Sequence, residues 1–341
     1  MQYTRSLNKI NKEKALLLID ASVQAYAAFS DKEPAQCQTA KIISPAGYDF
    51  VDHWTGVDSI FGKDRPHEEG SDFIDSWTGI ESMLGKDKTV ECYGVIFRSQ
   101  TAPYTYIFAF RGTDSLLDAL DDLGAESKPF TPHAGSKVTI PKAVAVESGF
   151  YDVYSENDEQ SKTASMQNQL FKLIDAYQAS DKPIHELYIT GHSLGSALCE
   201  LFTLDVALCR PKLIASNYNY ACPRVGNKAF VSLYDQQPQQ QHAATRTLRF
   251  QNTYDKVPCV PFKERGYQHL PNAFLVAFYK EGGRVEKDDI LARHSSANYQ
   301  AVLHAAAQSK NGMCRVKKLE VPANNYAVTS TEPDQKKICR F

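Results

Sequence analysis

Residues 186–199 read Glu-Leu-Tyr-Ile-Thr-Gly-His-Ser-Leu-Gly-Ser-Ala-Leu-Cys. The apolar run from Leu187 to Thr190 has the composition of a strand, and an amphipathic helix is predicted directly after it. Between them lies the pattern Gly-x-Ser-x-Gly, in which a glycine two residues before and two after the serine permits a very sharp turn. This context predicts that the hydroxyl of Ser193 is held out from the turn at the top of the sheet, as a nucleophile requires.

The composition of the 341-residue chain is that of an ordinary globular protein. Charged residues make up 23% and hydrophobic residues 43% of the sequence. The net charge of −2 and the absence of a Lys/Arg-rich run argue against a nucleic-acid partner. The apolar run at 15–19 is too short for a signal peptide or a membrane span, so no transmembrane segment is expected.

The eight cysteines are scattered and form no C-x-x-C pair. This spacing predicts neither a metal site nor a dense disulfide framework, and several cysteines fall within apolar elements as small hydrophobes. Together with the N-terminus, this usage favours a cytoplasmic location. Secretion by a signal-independent route is the alternative.

Strands and helices alternate along the chain. The predicted elements are a helix at 13–29, a hairpin of strands at 93–98 and 104–110, a helix at 161–180, the strand and helix around Ser193 (the helix at 194–209), strands at 214–221 and 245–251, and a helical run at 296–308. Such alternation predicts an α/β fold, with a mostly parallel central sheet and helices on both faces. Because no linker divides it, we expect a single domain over residues 1–341.

An internal repeat occupies residues 49–87. The stretch at 49–64 recurs at 72–87 with ten of sixteen positions identical, too few copies for a solenoid. The repeat is interpreted as a duplicated, insert-like surface segment. The alternative is that its tryptophans, Trp54 and Trp77, line the rim of an acyl-binding cleft.

A serine nucleophile needs a histidine to accept its proton and an acid to orient that histidine. If the acid and the base follow the serine in the chain, Asp255 is the candidate acid, because it lies just after the strand at 245–251. A plain turn aspartate is the alternative. Asp205 lies too far down the helix from Ser193.

Three histidines follow Asp255. His294 is predicted on a loop entering the helix at 296–308, from which it can reach the serine, and His269 competes on spacing alone. His304 lies inside the helical run and is interpreted as structural. The side chain of His192, next to the serine, is expected to point away from it.

Acyl transfer also requires donors for the oxyanion of the tetrahedral intermediate. The backbone N–H of Leu194 is one candidate. Thr113, after Gly112 in the turn at 110–113, offers an N–H and a hydroxyl, although an ordinary strand-ending turn is the alternative. Residues 114–124 then form an amphipathic pattern, read either as a surface helix that packs inward or as a lid over an apolar cleft.

Taken together, these motifs resemble the class 3 (fungal-type) lipase family of the α/β-hydrolase fold. The matching segments are Ile107-Phe-Ala-Phe-Arg-Gly-Thr113, Gly149-Phe150, Ile189-Thr-Gly-His-Ser-Leu-Gly-Ser-Ala197, Ala221-Cys-Pro-Arg-Val-Gly-Asn227, Asn252-Thr-Tyr-Asp-Lys-Val-Pro258, and His294 with Tyr299. The resemblance implies that Ser193 is the nucleophile, Asp255 the acid and His294 the base. It also implies that Thr113 is an oxyanion residue and that His269 is not catalytic.

The chain departs from the family in two of its motifs, and the 49–87 duplication and the tail after 310 have no counterpart in it. Glu147 and Ser148 stand where the family often has a histidine before the Gly-Phe pair, and the tryptophan common in the lid helix is absent. The expected function is a serine carboxylic-ester hydrolase, a triacylglycerol lipase working through an acyl-enzyme, without cofactor or metal. The alternatives are a phospholipase A1, a short-chain esterase, or a non-catalytic lipid-binding protein of this fold.

Overall fold

The structure, a computed structural model, describes residues 11–58, 89–113, 126–134, 136, 138–237, 246–276, 278, 287–308, 317–319 and 328–330. The second copy of the repeat, including Trp77, lies outside these residues. So does the predicted helix or lid at 114–124.

The described strands are β1 (Tyr48–Asp58), β2 (Thr89–Ser99), β3 (Thr105–Phe110), β4 (Ser127–Pro129), β5 (Ala145–Glu147), β6 (Glu186–His192), β7 (Ala215–Tyr220), β8 (Gly226–Asn227), β9 (Thr247–Asn252), β10 (Tyr267–Gln268), β11 (Ala273–Val276), β12 (Lys317–Leu319) and β13 (Val328–Ser330). The described α-helices are α1 (Lys12–Ala27), α2 (Ser148–Ser155), α3 (Met166–Gln178), α4 (Leu194–Cys209), α5 (Lys228–Asp235), α6 (Lys287–His294) and α7 (Ser296–Gln308). Short 3₁₀ turns lie at Thr39–Lys41, Val257–Cys259 and Lys263–Arg265.

Seven of the described strands form the central sheet, in the order β1-β2-β3-β6-β7-β9-β11. The first three pair antiparallel, which includes the predicted hairpin of β2 and β3. From β3 to β11 every neighbouring pair is parallel. Parallel pairing brings the carboxyl ends of β3, β6, β7 and β9 to the same edge, where the site described below is built.

Helices cover both faces of this sheet. Along β3, Ile107 and Ala109 pack with Leu18 of α1, whereas Phe108 and Phe110 pack with residues of α2, α3 and α4. The alternation of side chains along a strand explains this division. The predicted α/β fold, with a mostly parallel sheet between two layers of helices, is confirmed, while the one-domain organisation over 1–341 stays a prediction.

The helix after Ser193 differs from its predicted amphipathic character, because all residues of α4 are buried. The polar side of α4 is covered by its neighbours. Tyr154 of α2 donates its hydroxyl to Asp205 at 2.8 Å, and Gln167 of α3 donates to the same carboxyl at 2.7 Å. Asp205 therefore serves contacts between helices instead of contact with water.

The described part of the first repeat copy is a strand of the central sheet. Trp54 of β1 is 1% exposed and packs against Phe108 and Phe110, with ring centroids 5.8 and 4.7 Å away. On β2, Gly94 leaves room for the indole, since a Cβ there would lie 2.0 Å from Cζ2 of Trp54. The described residues 49–58 are therefore part of the sheet and not a surface insert, and the alternative in which Trp54 lines an acyl-binding rim is also wrong, because this side chain belongs to the core.

A disulfide joins Cys37 to Cys92 of β2 across a sequence separation of 55 residues. It ties the segment after α1 to the sheet, and the N–H of Cys92 also donates to the carbonyl of Pro34 at 2.7 Å. No spacing motif marks this pair in the sequence. A buried structural disulfide is typical of proteins that fold in an oxidising compartment.

We predict that Cys37→Ala/Cys92→Ala lowers the free energy of unfolding by about 2–4 kcal/mol, because the unfolded chain then loses a long cross-linked loop. Urea unfolding followed by circular dichroism measures this. Dithiothreitol should destabilise the wild-type protein and leave the double variant unchanged. Equal stability of the two proteins in oxidising buffer would contradict the role given to this bridge.

Candidate active site

The turn that carries Ser193 connects β6 directly to α4. Ser193 has φ +60° and ψ −129°, a backbone conformation that L-residues rarely adopt. A Cβ on Gly191 would lie 2.7 Å from the backbone of Gly195, and a Cβ on Gly195 would lie 2.6 Å from the carbonyl oxygen of Phe110. The two glycines therefore permit the close approach of strand, helix and the end of β3, as the sequence pattern predicts.

Ser193, His294 and Asp255 form a continuous hydrogen-bonded chain. The Oγ of Ser193 lies 2.7 Å from Nε2 of His294, and Nδ1 of His294 lies 2.8 Å from Oδ2 of Asp255. Since a carboxylate accepts hydrogen bonds, Nδ1 carries the proton and Nε2 is left to accept the serine proton. The structure thus brings together the three residues that the sequence selected, in the arrangement that a proton transfer requires.

Each of the three residues lies at a junction between elements. Ser193 follows β6, and Asp255 lies on the loop after β9, at the carboxyl edge of the sheet. His294 was expected on a loop, but it is the last residue of α6, and Ser295 alone separates it from α7. All three are buried, with exposed fractions of 1% for Ser193, 4% for Asp255 and 6% for His294.

Two further donors hold Asp255. The hydroxyl of Tyr299 donates to Oδ2 at 3.0 Å, and the N–H of Val257 donates to Oδ1 at 3.0 Å. Burial, and then the nearby Asp255, raise the pKa of Tyr299 well above its usual range, so its hydroxyl stays protonated and donates. The Tyr299 oxygen also accepts the N–H of Asn252 at 2.7 Å. The acid is therefore fixed by α7 and by its own loop.

Asn252 has a role that sequence reasoning missed. Its Nδ2 donates to the carbonyl of Arg293 at 2.9 Å and to that of Phe278 at 2.8 Å. Because Arg293 immediately precedes His294, this amide links the end of β9 to the residue beside His294. The sequence feature that could have identified Asn252 was its position at the end of a predicted strand, three residues before Asp255.

The turn after β3 packs against the serine. A Cβ on Gly112 would lie 2.9 Å from Cβ of Ser193, and Thr113 beside it is buried. Arg111 anchors this turn from below: its Nε donates to the carbonyl of Cys92 at 3.0 Å, it pairs with Glu91, and its guanidinium lies 3.7 Å from the ring centroid of Phe29.

Leu194 is the first residue of α4, so no carbonyl within that helix accepts its amide. Both candidate oxyanion residues, Thr113 and Leu194, therefore belong to segments that touch Ser193.

The other two histidines that follow Asp255 in the chain, His269 and His304, have hydrogen-bond partners away from Ser193. Nε2 of His269 bonds the carbonyl of Pro258 at 2.7 Å, and burial together with Arg249 lowers the pKa of His269 well below its usual value. His304 of α7 bonds Asp20 of α1 at 2.7 Å.

Within the described ranges, no cluster of His, Cys, Asp and Glu side chains could hold a metal ion. Within the same ranges, no helix is long and apolar enough to cross a membrane.

A strand–serine–helix turn joined to an aspartate and a histidine in that chain order defines a serine-hydrolase type of site on an α/β-hydrolase fold. The family model Lipase (class 3) matches residues 107–265 of this chain. The resemblance to class 3 lipases is confirmed.

Individual relatives agree with this assignment. The chain is 30% identical over 166 residues to the secreted mono- and diacylglycerol lipase MDL3 of Malassezia globosa, covering 49% of this chain and 50% of that protein. It is 33% identical over 167 residues to the chloroplastic phospholipase A1-Igamma2 of Arabidopsis thaliana, covering 45% and 30%. The chain thus spans half or less of the length of these two relatives.

A solved structure with the same fold is the Lip2 lipase of Yarrowia lipolytica. It is 18% identical in sequence, the TM-score is 0.50, and the match covers 82% of both chains.

The predicted cytoplasmic location is wrong. The relative from Malassezia globosa is named as a secreted lipase, and the Cys37–Cys92 bridge is typical of an oxidising compartment. The apolar run at 15–19 that guided the prediction is part of α1, where Ala15, Leu18 and Ile19 pack into the core. This run reports on the fold and carries no information about export.

We predict that Gly195→Ala lowers kcat of ester hydrolysis at least about tenfold and stability by about 1–3 kcal/mol, because the added methyl group forces the Phe110–Gly112 backbone away from Ser193. Initial rates and thermal unfolding measure the two effects.

Gly226→Ala is the matched control, since its Cβ would lie 2.6 Å from the ring of Phe230. It should lose stability while its folded fraction keeps the wild-type kcat. Equal kcat losses in the two variants would contradict the specific role of the Gly195 contact.

Proposed function

We propose that this protein is a serine carboxylic-ester hydrolase that acts on acylglycerols, a triacylglycerol lipase that works through an acyl-enzyme. The single observation that carries the proposal is the Ser193–His294–Asp255 chain, with heavy-atom distances of 2.7 and 2.8 Å, beside a turn that offers oxyanion donors. Such a chain is the arrangement that activates a serine hydroxyl at neutral pH.

In the first half-reaction, Oγ of Ser193 attacks the carbonyl carbon of the ester while its proton moves to Nε2 of His294. Asp255 stabilises the imidazolium through Nδ1. The oxyanion of the tetrahedral intermediate accepts hydrogen bonds from the N–H of Leu194 and from Thr113. The intermediate then collapses, the ester C–O bond breaks, and His294 protonates the departing alcohol.

The second half-reaction repeats these roles with water. His294 removes a proton from a water molecule, whose oxygen attacks the acyl-enzyme carbonyl. Collapse of the second tetrahedral intermediate breaks the bond to Ser193 Oγ. The fatty acid leaves and the serine recovers its proton from His294. Every proton that moves is carried by groups of this site.

The substrate class is supported by the named relatives. One is named for mono- and diacylglycerols and the other as a phospholipase A1, and both names describe esters of glycerol with fatty acids. We place acylglycerols first and a phospholipid sn-1 ester second, with hydrolysis taking place at a lipid–water interface. Action outside the cytoplasm is part of the proposal and is supported by the disulfide and by the secreted relative.

We predict that Ser193→Ala and His294→Ala each lower kcat/KM at least about 1000-fold, because the residual rate comes from binding and oxyanion stabilisation alone. Tributyrin, trioleoylglycerol emulsion, phosphatidylcholine vesicles and p-nitrophenyl butyrate serve as substrates. For a lipase, we expect the hydrolysis rate to keep rising toward the long-chain, insoluble substrate, trioleoylglycerol. Preference for the phospholipid selects the phospholipase A1 alternative, and activity confined to short soluble esters selects the esterase alternative.

His269→Asn is the matched control, because that half-buried histidine bonds the backbone carbonyl of Pro258 and not Ser193. It should keep activity within about threefold once the variant is shown to be folded. If His269→Asn lost turnover while His294→Ala stayed active, the general base would be His269 and not His294. Equal activity of wild type and Ser193→Ala would favour a non-catalytic lipid-binding protein.

A further inference from the structure

The histidine before Ser193 joins two distant parts of the chain. Nε2 of His192 lies 2.6 Å from the backbone carbonyl oxygen of His294, and Nδ1 lies 2.8 Å from the hydroxyl of Tyr26 on α1. The rings of His192 and His294 lie side by side, with centroids 4.6 Å apart. His192 is 3% exposed. The mechanism above uses neither His192 nor Tyr26.

The partners determine the direction of these hydrogen bonds. A carbonyl oxygen can only accept, so Nε2 of His192 carries the proton and donates a hydrogen bond to the carbonyl oxygen of His294. Nδ1 is then unprotonated and accepts from the Tyr26 hydroxyl. Burial, and then His294, lower the pKa of His192 well below its usual value, in agreement with a neutral ring. The result is a directed chain from Tyr26 through His192 to the backbone of the base.

The carbonyl of His294 needs such a donor. It lies at the C-terminus of α6, where carbonyls have no partner within the helix. A buried carbonyl without a donor is costly, and its backbone would be free to shift. The donor supplied by His192 therefore fixes the residue whose ring must stay within hydrogen-bond distance of Ser193.

Tyr26 also lies against the turn that precedes Thr113. A Cβ on Gly112 would lie 2.3 Å from the Tyr26 hydroxyl and 2.6 Å from the carbonyl oxygen of His192. The hydroxyl of Tyr26 is 3.4 Å from that same carbonyl. One side chain of α1 thus touches the turn after β3 and the turn carrying Ser193, and through His192 it reaches the end of α6.

We propose that Tyr26 and His192 are positioning residues, which hold the backbone of His294 and the Gly112 turn in register with Ser193. The inference rests on the proposed ester hydrolysis and adds α1, which lies outside the matched segment 107–265, to the machinery of that reaction. Because the hydrogen bonds of His192 and Tyr26 act through the backbone of His294 and not through Ser193 Oγ or the imidazole nitrogens of His294, their loss lowers kcat and leaves KM nearly unchanged. A purely structural role would change stability alone.

The test compares His192→Leu, His192→Gln and Tyr26→Phe with wild type, using p-nitrophenyl butyrate and thermal unfolding. His192→Leu removes the donor and should lower kcat about 10- to 100-fold, the loss expected when a catalytic group moves by up to 1 Å. The amide of His192→Gln can still donate to the carbonyl and should recover most of that loss. Tyr26→Phe removes one neutral hydrogen bond and should lower kcat about fivefold.

Tyr188→Phe is the matched control. Its hydroxyl donates to Glu186 at 3.1 Å at the opposite end of β6, far along the strand from Ser193. This variant should keep the wild-type kcat. Should His192→Leu fail to fold, the comparison of Tyr26→Phe with Tyr188→Phe decides.

Wild-type kcat in Tyr26→Phe and His192→Leu, or an equal loss in His192→Gln and His192→Leu, would overturn the inference while leaving the proposed function intact. A folded wild-type protein that hydrolyses no ester would instead overturn the proposed function, and the inference with it.

Discussion

The close approach of the β6–α4 turn to the end of β3 is the constraint on which the site depends. Ser193 can stand at positive φ because glycines on either side of it let strand and helix nearly touch. The same contact brings the Gly112 turn against the serine. A side chain on Gly195 would push the end of β3 away and so separate Ser193 from the turn that holds Thr113, a proposed oxyanion donor. The packing of the fully buried α4 and of the central sheet offsets the conformational strain at Ser193.

The remaining parts of the site are supplied by segments that are far apart in the chain. The acid follows β9 and is held by Tyr299 of α7, and Asn252 ties the end of β9 to the residue before His294. On the other side, Arg111 fixes the Gly112 turn to β2, near the Cys37–Cys92 bridge. Buried polar groups with complete sets of partners hold their geometry better than single contacts do. Catalytic geometry here is therefore a property of the whole sheet edge.

Much of this could be predicted from the sequence. The elbow, the hairpin of β2 and β3, and the order Ser193, Asp255, His294 follow from local patterns, because glycine spacing and strand periodicity are local properties. Trp54, the Cys37–Cys92 bridge and the buried polar face of α4 could not be predicted in this way. Their environments are set by residues distant in sequence, such as Phe108 for Trp54 and Tyr154 for Asp205. The hydrogen bond between His192 and the His294 carbonyl could not be predicted from the sequence for the same reason.

Covalent labelling by a p-nitrophenyl alkylphosphonate, read by peptide mass spectrometry, tests directly whether Ser193 is an activated nucleophile. An activated serine displaces p-nitrophenol and keeps the phosphonyl group, so we expect about one phosphonyl group per chain, on Ser193. His294→Ala should react at least about 1000-fold more slowly, since the proton acceptor is then missing. A folded protein that stays unlabelled, or one labelled on another residue, would contradict the account.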